Sequence, residues 1–264
     1  FGSLMVGYGV NCVVPRFGEI ARAVLIGRWE GLSRSSMFGA VIVERIIDLI
    51  FLGIAVIISL LIWTDDLSAN FPWLITATYV TMFGLAVVII FLYLLFQFRE
   101  KFYQIITNIL SKFSRHLAGK AAHIFDMLLE GFGSLKGAKN YLLTIFLSAA
   151  IIIFYAFSAY IGFYTIGMQN IQPVSFAMGW VLMSISAIGV VIPTPGGTGS
   201  YHTFAKSALV SLFGFGEVIS LAYAFLTHII SYFMFIITAL ISFLILNKHH
   251  ENLLKVLDTE VDEL

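Results

Sequence analysis

Residues 192–202 read Ile-Pro-Thr-Pro-Gly-Gly-Thr-Gly-Ser-Tyr-His and interrupt a strongly apolar part of the chain. They lie within residues 140–205, which contain no Asp, Glu, Lys or Arg. Proline removes a backbone donor and glycine weakens regular structure, so this stretch breaks a helix. Inside a membrane such a break is tolerated only where it is buried in protein or lines a wet cavity. The stretch therefore predicts a membrane protein with a broken helix, a feature of transporter binding sites.

The composition favours the same class of protein. Hydrophobic residues make up 59% of the chain and charged residues only 11%, whereas soluble domains carry about 25% charged residues. Fifteen basic and fifteen acidic residues cancel, which argues against a nucleic-acid partner. Cys12 is the only cysteine, and the histidines show no metal-ligand spacing. We therefore expect no disulfide, no metal and no cofactor.

Four stretches are apolar over the roughly 20 residues that cross a bilayer. We place these spans at residues 38–63, 73–96, 141–166 and 218–246. Residues 97–140 differ, because basic residues exceed acidic ones and apolar residues recur at helical spacing. This pattern predicts an amphipathic connector on the cytoplasmic face of the membrane.

Two shorter regions, residues 2–29 and 174–215, each contain an apolar run, a Pro/Gly break and a second helix. The break in the first region is Pro15-Arg16-Phe17-Gly18. The predicted orientation makes the first region open to the inside and the second to the outside. This arrangement predicts an all-α polytopic membrane protein in which two re-entrant helical regions form an inverted repeat. Two unrelated kinked helices are the alternative.

The whole chain is interpreted as a single transmembrane domain. Its parts are a first repeat at about 1–96, the connector 97–140, a second repeat 141–246 and a cytoplasmic tail 247–264. The chain begins at Phe1 inside an apolar pattern, so we expect further membrane sequence upstream.

Ionisable residues in the first repeat form the first candidate binding site. They are Arg16, Glu19, Arg22, Glu44, Arg45 and Asp48. Glu19 and Arg22 share a helix face because they are three residues apart, and Glu44 and Asp48 do so at a spacing of four. Charges inside a membrane are costly and usually pair or line a cavity. One hypothesis is a site for a phosphate-bearing headgroup, favoured for Arg16 and Arg22. The other is a structural ion-pair network, equally open for Glu44, Arg45 and Asp48.

The broken helix of the second repeat forms the second candidate site. Its members are Pro195, Gly196, Gly197, Gly199, His202 and Lys206. Glycine lets backbone amides approach an anion, and the following helix N-terminus favours negative charge. His202 and Lys206 are four residues apart, so we expect them on one face. The alternative is a tight turn between helices, with Lys206 reaching the interface. We interpret His228 as a packed core histidine.

Three motifs occur in order along the chain. They are Asn11-x-x-x-Pro15-Arg16-x-Gly18-Glu19-x-x-Arg22, Glu44-Arg45-x-x-Asp48 and Pro193-x-Pro195-Gly196-Gly197-x-Gly199. Together they resemble the bacterial and archaeal flippase-like family, the transmembrane region of lysylphosphatidylglycerol synthases. The resemblance implies a multi-pass inner-membrane protein that moves lipids between leaflets, with these motif residues as its signature.

The chain departs from the family pattern in two respects. The family commonly has a Glu shortly after the glycine loop, where this sequence has His202. The soluble synthase domain is not expected here, so we do not expect lipid lysylation.

The leading hypothesis is a flippase-like transporter of phospholipid or lipid-linked headgroups, without covalent chemistry of its own. Its partners would be the lipid bilayer, the lipid it moves and, as a further candidate, a separate lipid-modifying enzyme. A membrane-embedded transferase that acts on a lipid-linked substrate is a second hypothesis, and a non-catalytic scaffold for such an enzyme is a third.

The predicted orientation can be tested by cysteine labelling. In a background without Cys12, a cysteine replacing Asp66 should react with an impermeant maleimide from the outer face. A cysteine replacing Lys112 should react only after the membrane is opened. The reverse pattern would overturn the orientation and the inverted-repeat interpretation with it.

Overall fold

The computed structural model describes residues 1–29, 31–63, 97–133 and 137–249, together with residues 76, 79–80, 82–84, 86–87, 90–91 and 94. Every regular element within the described residues is helical. The helices are α1 (Gly2–Val13), α2 (Phe17–Trp29), α3 (Arg34–Ile62), α4 (Arg99–Phe113), α5 (Arg115–Gly133), α6 (Ala138–Thr165), α7 (Phe176–Val191), α8 (Ser200–Ser207) and α9 (Glu217–His249). The all-α prediction is therefore confirmed.

Three helices are long and apolar enough to cross a membrane. These stretches are Ser36–Ile62 in α3, Ala138–Thr165 in α6 and Glu217–Asn247 in α9. They coincide with three of the four predicted spans, which supports a multi-pass membrane protein. The remaining predicted span, 73–96, lies largely outside the described residues, as does most of the predicted tail.

The first broken region forms a helical hairpin, hairpin 1, from α1 and α2. Asn11 bridges its break, because its side-chain oxygen accepts from the Gly18 backbone N–H at 2.7 Å and its amide nitrogen donates to Glu19 at 3.1 Å. Gly18 lies so close to Gly7 that a Cβ atom at Gly18 would collide with the Gly7 carbonyl oxygen. Close backbone contact therefore holds the two arms together.

The second broken region forms hairpin 2 from α7 and α8, with its break at residues 192–199. Its arms pack closely where Gly189 lies against the Ser200 backbone. A π-helical turn, Ala208–Leu212, continues α8. The hairpin contributes the largest share of a buried apolar cluster that includes Leu182, Ile185, Leu209, Phe213 and Tyr223.

Helix α9 packs against both hairpins. Along its second half it contacts α1, from Gly2 beside Leu246 to the Tyr8 and Phe235 rings, whose centroids are 5.0 Å apart. Along its first half it contacts α8, where Lys206 pairs with Glu217 at 2.9 Å. The open ends of the two hairpins therefore lie toward opposite ends of α9.

The predicted connector contains two helices, α4 and α5, which pack on each other. Helix α5 also packs on α3, where Gly39 and Gly131 allow the two backbones to touch. The structure thus joins the connector to the first predicted repeat. It leaves the connector's position relative to the membrane as a prediction.

The close packing inside hairpin 1 can be tested by adding a single methyl group. Gly18→Ala should lower the free energy of unfolding by about 1–3 kcal/mol, because the new methyl meets the Gly7 carbonyl and Asn11. Gly119→Ala is the matched control, since Gly119 is exposed on α5 with nothing near its Cβ position. It should be neutral or stabilising. Thermal unfolding in detergent measures both, and equal behaviour would contradict the packing.

Candidate functional site

Four of the predicted charged residues form one network between α2 and α3. The Arg22 guanidinium donates to both oxygens of the Glu44 carboxylate. Arg45 donates to Glu44 and forms an ion pair with Asp48 at 2.9 Å. The chain of contacts thus runs Arg22, Glu44, Arg45, Asp48, with charges of alternating sign. The sequence left such a network open for Glu44, Arg45 and Asp48, and the structure adds Arg22 to it.

Exposure is lowest at the Arg22 end of this network. The Arg22 side chain is 10% exposed, whereas the side chains of Glu44 and Asp48 are 41% and 50% exposed. A cavity of about 250 Å³ between α1, α2 and α3 is lined by Arg22 and Glu44, together with apolar residues such as Ile26 and Val41. The Arg22 end of the network is therefore structural in character, and the Asp48 end is open to a ligand.

The two remaining charged candidates of hairpin 1 lie nearer its tip. Glu19 accepts a hydrogen bond from the Asn11 amide. Arg16 adopts a left-handed backbone with φ of 66°, unusual for a residue with a side chain. Its guanidinium donates to the Val191 carbonyl at 2.7 Å. Arg16 therefore links the tip of hairpin 1 to the end of α7 in hairpin 2.

The glycine loop of hairpin 2 is ordered by its own side chains. Thr194 and Ser200 hydroxyls lie 3.0 Å apart, and Ser200 donates to the Gly197 carbonyl at 3.3 Å. Gly197 and Gly199 have φ of 78° and 88°, in the region that disfavours side chains. The loop therefore needs glycine for its path, and its polar groups are largely bonded within the loop.

Neighbouring aromatic rings cover the loop from α9. Gly196, which follows Pro195, lies against the Tyr232 ring, so that a Cβ atom there would collide with it. The Thr198 hydroxyl is 3.3 Å from Nε2 of His228, and the His202 and His228 rings have centroids 4.7 Å apart. His202 is thus in contact with the loop and with α9.

Sequence reasoning missed the contribution of α9 to this site. It interpreted His228 as a core histidine and did not select Tyr232. A signal was present, because Ser220, Thr227 and Ser231, with Tyr223, His228 and Tyr232, recur at spacings of three to five residues and mark a polar stripe along an apolar span. That stripe is the face on which α8 and the loop pack.

Lys206 lies away from the loop. It forms an ion pair with Glu217 at the start of α9, one turn beyond His202. The predicted common face is present, but the lysine ammonium is directed to a carboxylate at the open end of hairpin 2.

The two candidate sites meet where the hairpin tips touch. Arg16 contacts Val191, and the Tyr232 hydroxyl donates to the Cys12 carbonyl at the end of α1. Tyr232 lies halfway along the apolar stretch Glu217–Asn247. The tip junction, defined by Cys12, Arg16, Val191, Gly196 and Tyr232, is therefore at the middle of a membrane-length helix. Among the described residues, no group of three or more His, Cys, Asp or Glu side chains is arranged to hold a metal ion.

Comparison with known proteins gives one match. A family model described as the lysylphosphatidylglycerol synthase TM region matches residues 1–239. The matched region includes every predicted site residue. No curated protein and no solved structure matches the chain.

The graded exposure of the charged network predicts unequal effects of its carboxylates. Glu44→Gln should cost about 1–3 kcal/mol of stability, because the buried Arg22 charge loses its carboxylate although Glu44 itself is partly exposed. Asp48→Asn should cost less than about 1 kcal/mol, since its side chain is half exposed. Chemical unfolding in detergent measures both variants.

A double variant gives the control for this comparison. Adding Arg22→Gln to Glu44→Gln should restore part of the lost stability, because no buried charge is then left unpaired. Equal destabilisation by the two single variants would contradict the assignment of Glu44 as the carboxylate that pairs with the buried Arg22.

Proposed function

The chain belongs to the lysylphosphatidylglycerol synthase TM region family, and from this we propose that it moves phospholipids or lipid-linked headgroups between membrane leaflets. In this proposal the two hairpins are re-entrant and related as an inverted repeat. The lipid headgroup passes between them, and the protein performs no covalent chemistry.

The observation that carries the proposal is the tip junction halfway along α9. Arg16 reaches the Val191 carbonyl there, and Tyr232 reaches the Cys12 carbonyl. The hairpins extend from this junction toward opposite ends of α9, with Gly2 near Leu246 and Lys206 at Glu217. Two broken elements that open to opposite sides and meet at mid-depth are the arrangement expected of alternating access.

Arg16 supplies the chemistry needed at such a junction. Its guanidinium donates to a neutral carbonyl, so a phosphate could replace that carbonyl with a gain in electrostatic attraction. The Val191 carbonyl is at the C-terminal end of α7, where the helix dipole already attracts a cation. The phosphate of a passing headgroup would therefore displace the Val191 carbonyl from the Arg16 guanidinium. This exchange would open the contact between the hairpins.

The charged network provides a second point of contact at the mouth of hairpin 1. The partly exposed side chains of Arg45 and Asp48 offer one donor group and one acceptor group to a headgroup. Arg22 holds Glu44 from the buried side. In this model Arg22 positions the site rather than binding lipid directly, which refines the expectation drawn from the sequence.

The proposal also includes a location and a partner. The protein would lie in the cell inner membrane, with connector 97–140 and the C-terminal tail in the cytoplasm. The family description refers to a synthase that modifies lipid, so a separate lipid-modifying enzyme is the protein partner we expect.

Lipid movement in proteoliposomes tests this function. Wild-type protein should expose inner-leaflet fluorescent phosphatidylglycerol to dithionite faster than protein-free vesicles do. Arg16→Gly should reduce that rate by about ten- to a hundredfold, the equivalent of one charge-assisted hydrogen bond. Glycine accepts the φ of 66° without strain, which offsets part of the stability lost when the Val191 carbonyl loses its partner. The rates are therefore compared at a temperature at which both proteins are folded.

Two further variants serve as controls. Lys120→Gln removes a positive charge from the exposed surface of α5 and should leave the rate unchanged. Arg16→Lys keeps the charge but lacks the two-pronged donor and should give an intermediate rate. The proposal fails if wild-type vesicles behave like empty ones, or if Arg16→Gly translocates lipid at the wild-type rate.

A further inference from the structure

His202 caps the helix that follows the glycine loop. It is the third residue of α8, and its Nδ1 atom accepts a hydrogen bond from the Gly199 backbone N–H at 3.2 Å. A side chain that reaches back from this position to the residue before the helix is the second half of a capping box. The imidazole thereby holds the last glycine of the loop against the start of α8.

This contact determines the state of the ring. Because Nδ1 offers its lone pair to Gly199, it cannot carry a proton, and the neutral ring must carry its hydrogen on Nε2. Nε2 is itself buried and, among the residues that the structure describes, has no hydrogen-bond partner. A buried donor without a partner is costly, so the closed loop keeps His202 in an unfavourable state.

A second imidazole lies beside the first. The ring centroids of His202 and His228 are 4.7 Å apart, and Nε2 of His228 is 3.3 Å from the Thr198 hydroxyl. Both histidines therefore contact the glycine loop, one through Gly199 and the other through Thr198. Any change in the charge of either ring acts on the loop directly.

The surroundings of the pair contain few other charged or titratable groups. From α9 the rings meet Phe225 and Tyr232, and from α8 they meet Tyr201. The nearest ionic groups on these helices, Lys206 and Glu217, pair with each other. From hairpin 1, Arg16 is bonded to Val191, and Cys12 accepts from Tyr232. Within the described part of the chain, no carboxylate forms an ion pair with either imidazole.

From this geometry we infer that His202 and His228 together bind one proton, and that its binding releases the glycine loop and couples lipid movement to protons. The coupling to lipid rests on the proposed function. The release follows from competition, because a proton and the Gly199 N–H require the same lone pair of Nδ1. An imidazolium would also face the amides at the start of α8, where the helix dipole disfavours positive charge. Two adjacent charged rings would repel each other, so the pair takes up a single proton.

His202→Gln tests the inference without removing the cap. Glutamine at this helix position can accept from the Gly199 N–H as the imidazole does, yet it does not titrate. The rate of wild-type fluorescent phosphatidylglycerol movement should rise about tenfold as the pH falls from 7.5 to 5.5, because proton binding releases the loop. Histidine changes charge in this pH range. His202→Gln should give one rate across that range. His116→Gln, at an exposed histidine on α5, should keep the wild-type pH dependence.

Cysteine accessibility gives a readout that does not depend on lipid movement. Thr203 is exposed on the first turn of α8, and the buried native Cys12 can be replaced by serine. At pH 5.5, a cysteine in place of Thr203 should react faster with a water-soluble maleimide when His202 is present than in the His202→Gln background. The accessibility ratio is the first rate divided by the second, and it should be smaller at pH 7.5. The paired comparison cancels the intrinsic pH dependence of the thiol.

The two readouts separate the inference from the proposed function. If no lipid moves at any pH but the accessibility ratio still depends on pH, the transport function fails and the proton-driven release stands. If His202→Gln keeps the pH dependence of transport, or if the accessibility ratio is the same at both pH values, the inference is overturned.

Discussion

The structure depends on the need to satisfy backbone polar groups where two helices are broken inside an apolar environment. Water is not available there to bond the freed amides and carbonyls, and each one left unpaired costs several kcal/mol. Side chains supply missing partners, among them Arg16 for the Val191 carbonyl, Tyr232 for the Cys12 carbonyl and His202 for the Gly199 amide. The prolines near the breaks carry no N–H, so they reduce the number of backbone donors that need a partner.

These partners also determine how the hairpins are arranged. Arg16 belongs to one hairpin and bonds to the other, while Tyr232 reaches hairpin 1 from the middle of α9. The hydrogen bonds to the backbone groups at the breaks therefore bring the hairpin tips together, and α9 sets the depth at which they meet. Because the bonds come from side chains rather than from regular helix, they can be exchanged without unfolding either arm. A lipid phosphate can compete for Arg16, and a proton can compete for His202.

The sequence predicted those features that depend on local pattern. The apolar spans, the Pro/Gly breaks and the spacing that joins Glu44, Arg45 and Asp48 can all be derived from neighbours along the chain. Contacts between distant segments could not be derived in this way. Nothing in the periodicity specifies that Arg16 reaches residue 191, or that Lys206 pairs with Glu217 instead of facing the loop. The contact of His228 with the Thr198 hydroxyl could not be derived either, because one histidine in an apolar span looks the same whether it packs in a core or faces a break.

The charged network shows why a binding role and a structural role need not be alternatives. A fully buried ion pair contributes little net stability, since desolvation offsets most of the attraction, but removing one partner is severe. The Arg22 side chain is nearly inaccessible, so removing Glu44 would leave its charge buried without a partner. Arg45 and Asp48 extend the same alternating charges to a side where both are partly exposed. The ion pair with Arg22 fixes the orientation of Glu44, and Glu44 in turn orients Arg45. The buried arginine therefore holds the partly exposed Arg45 and Asp48 side chains in place. A headgroup at this mouth would meet groups already positioned, and the ordering cost would have been met during folding rather than during binding.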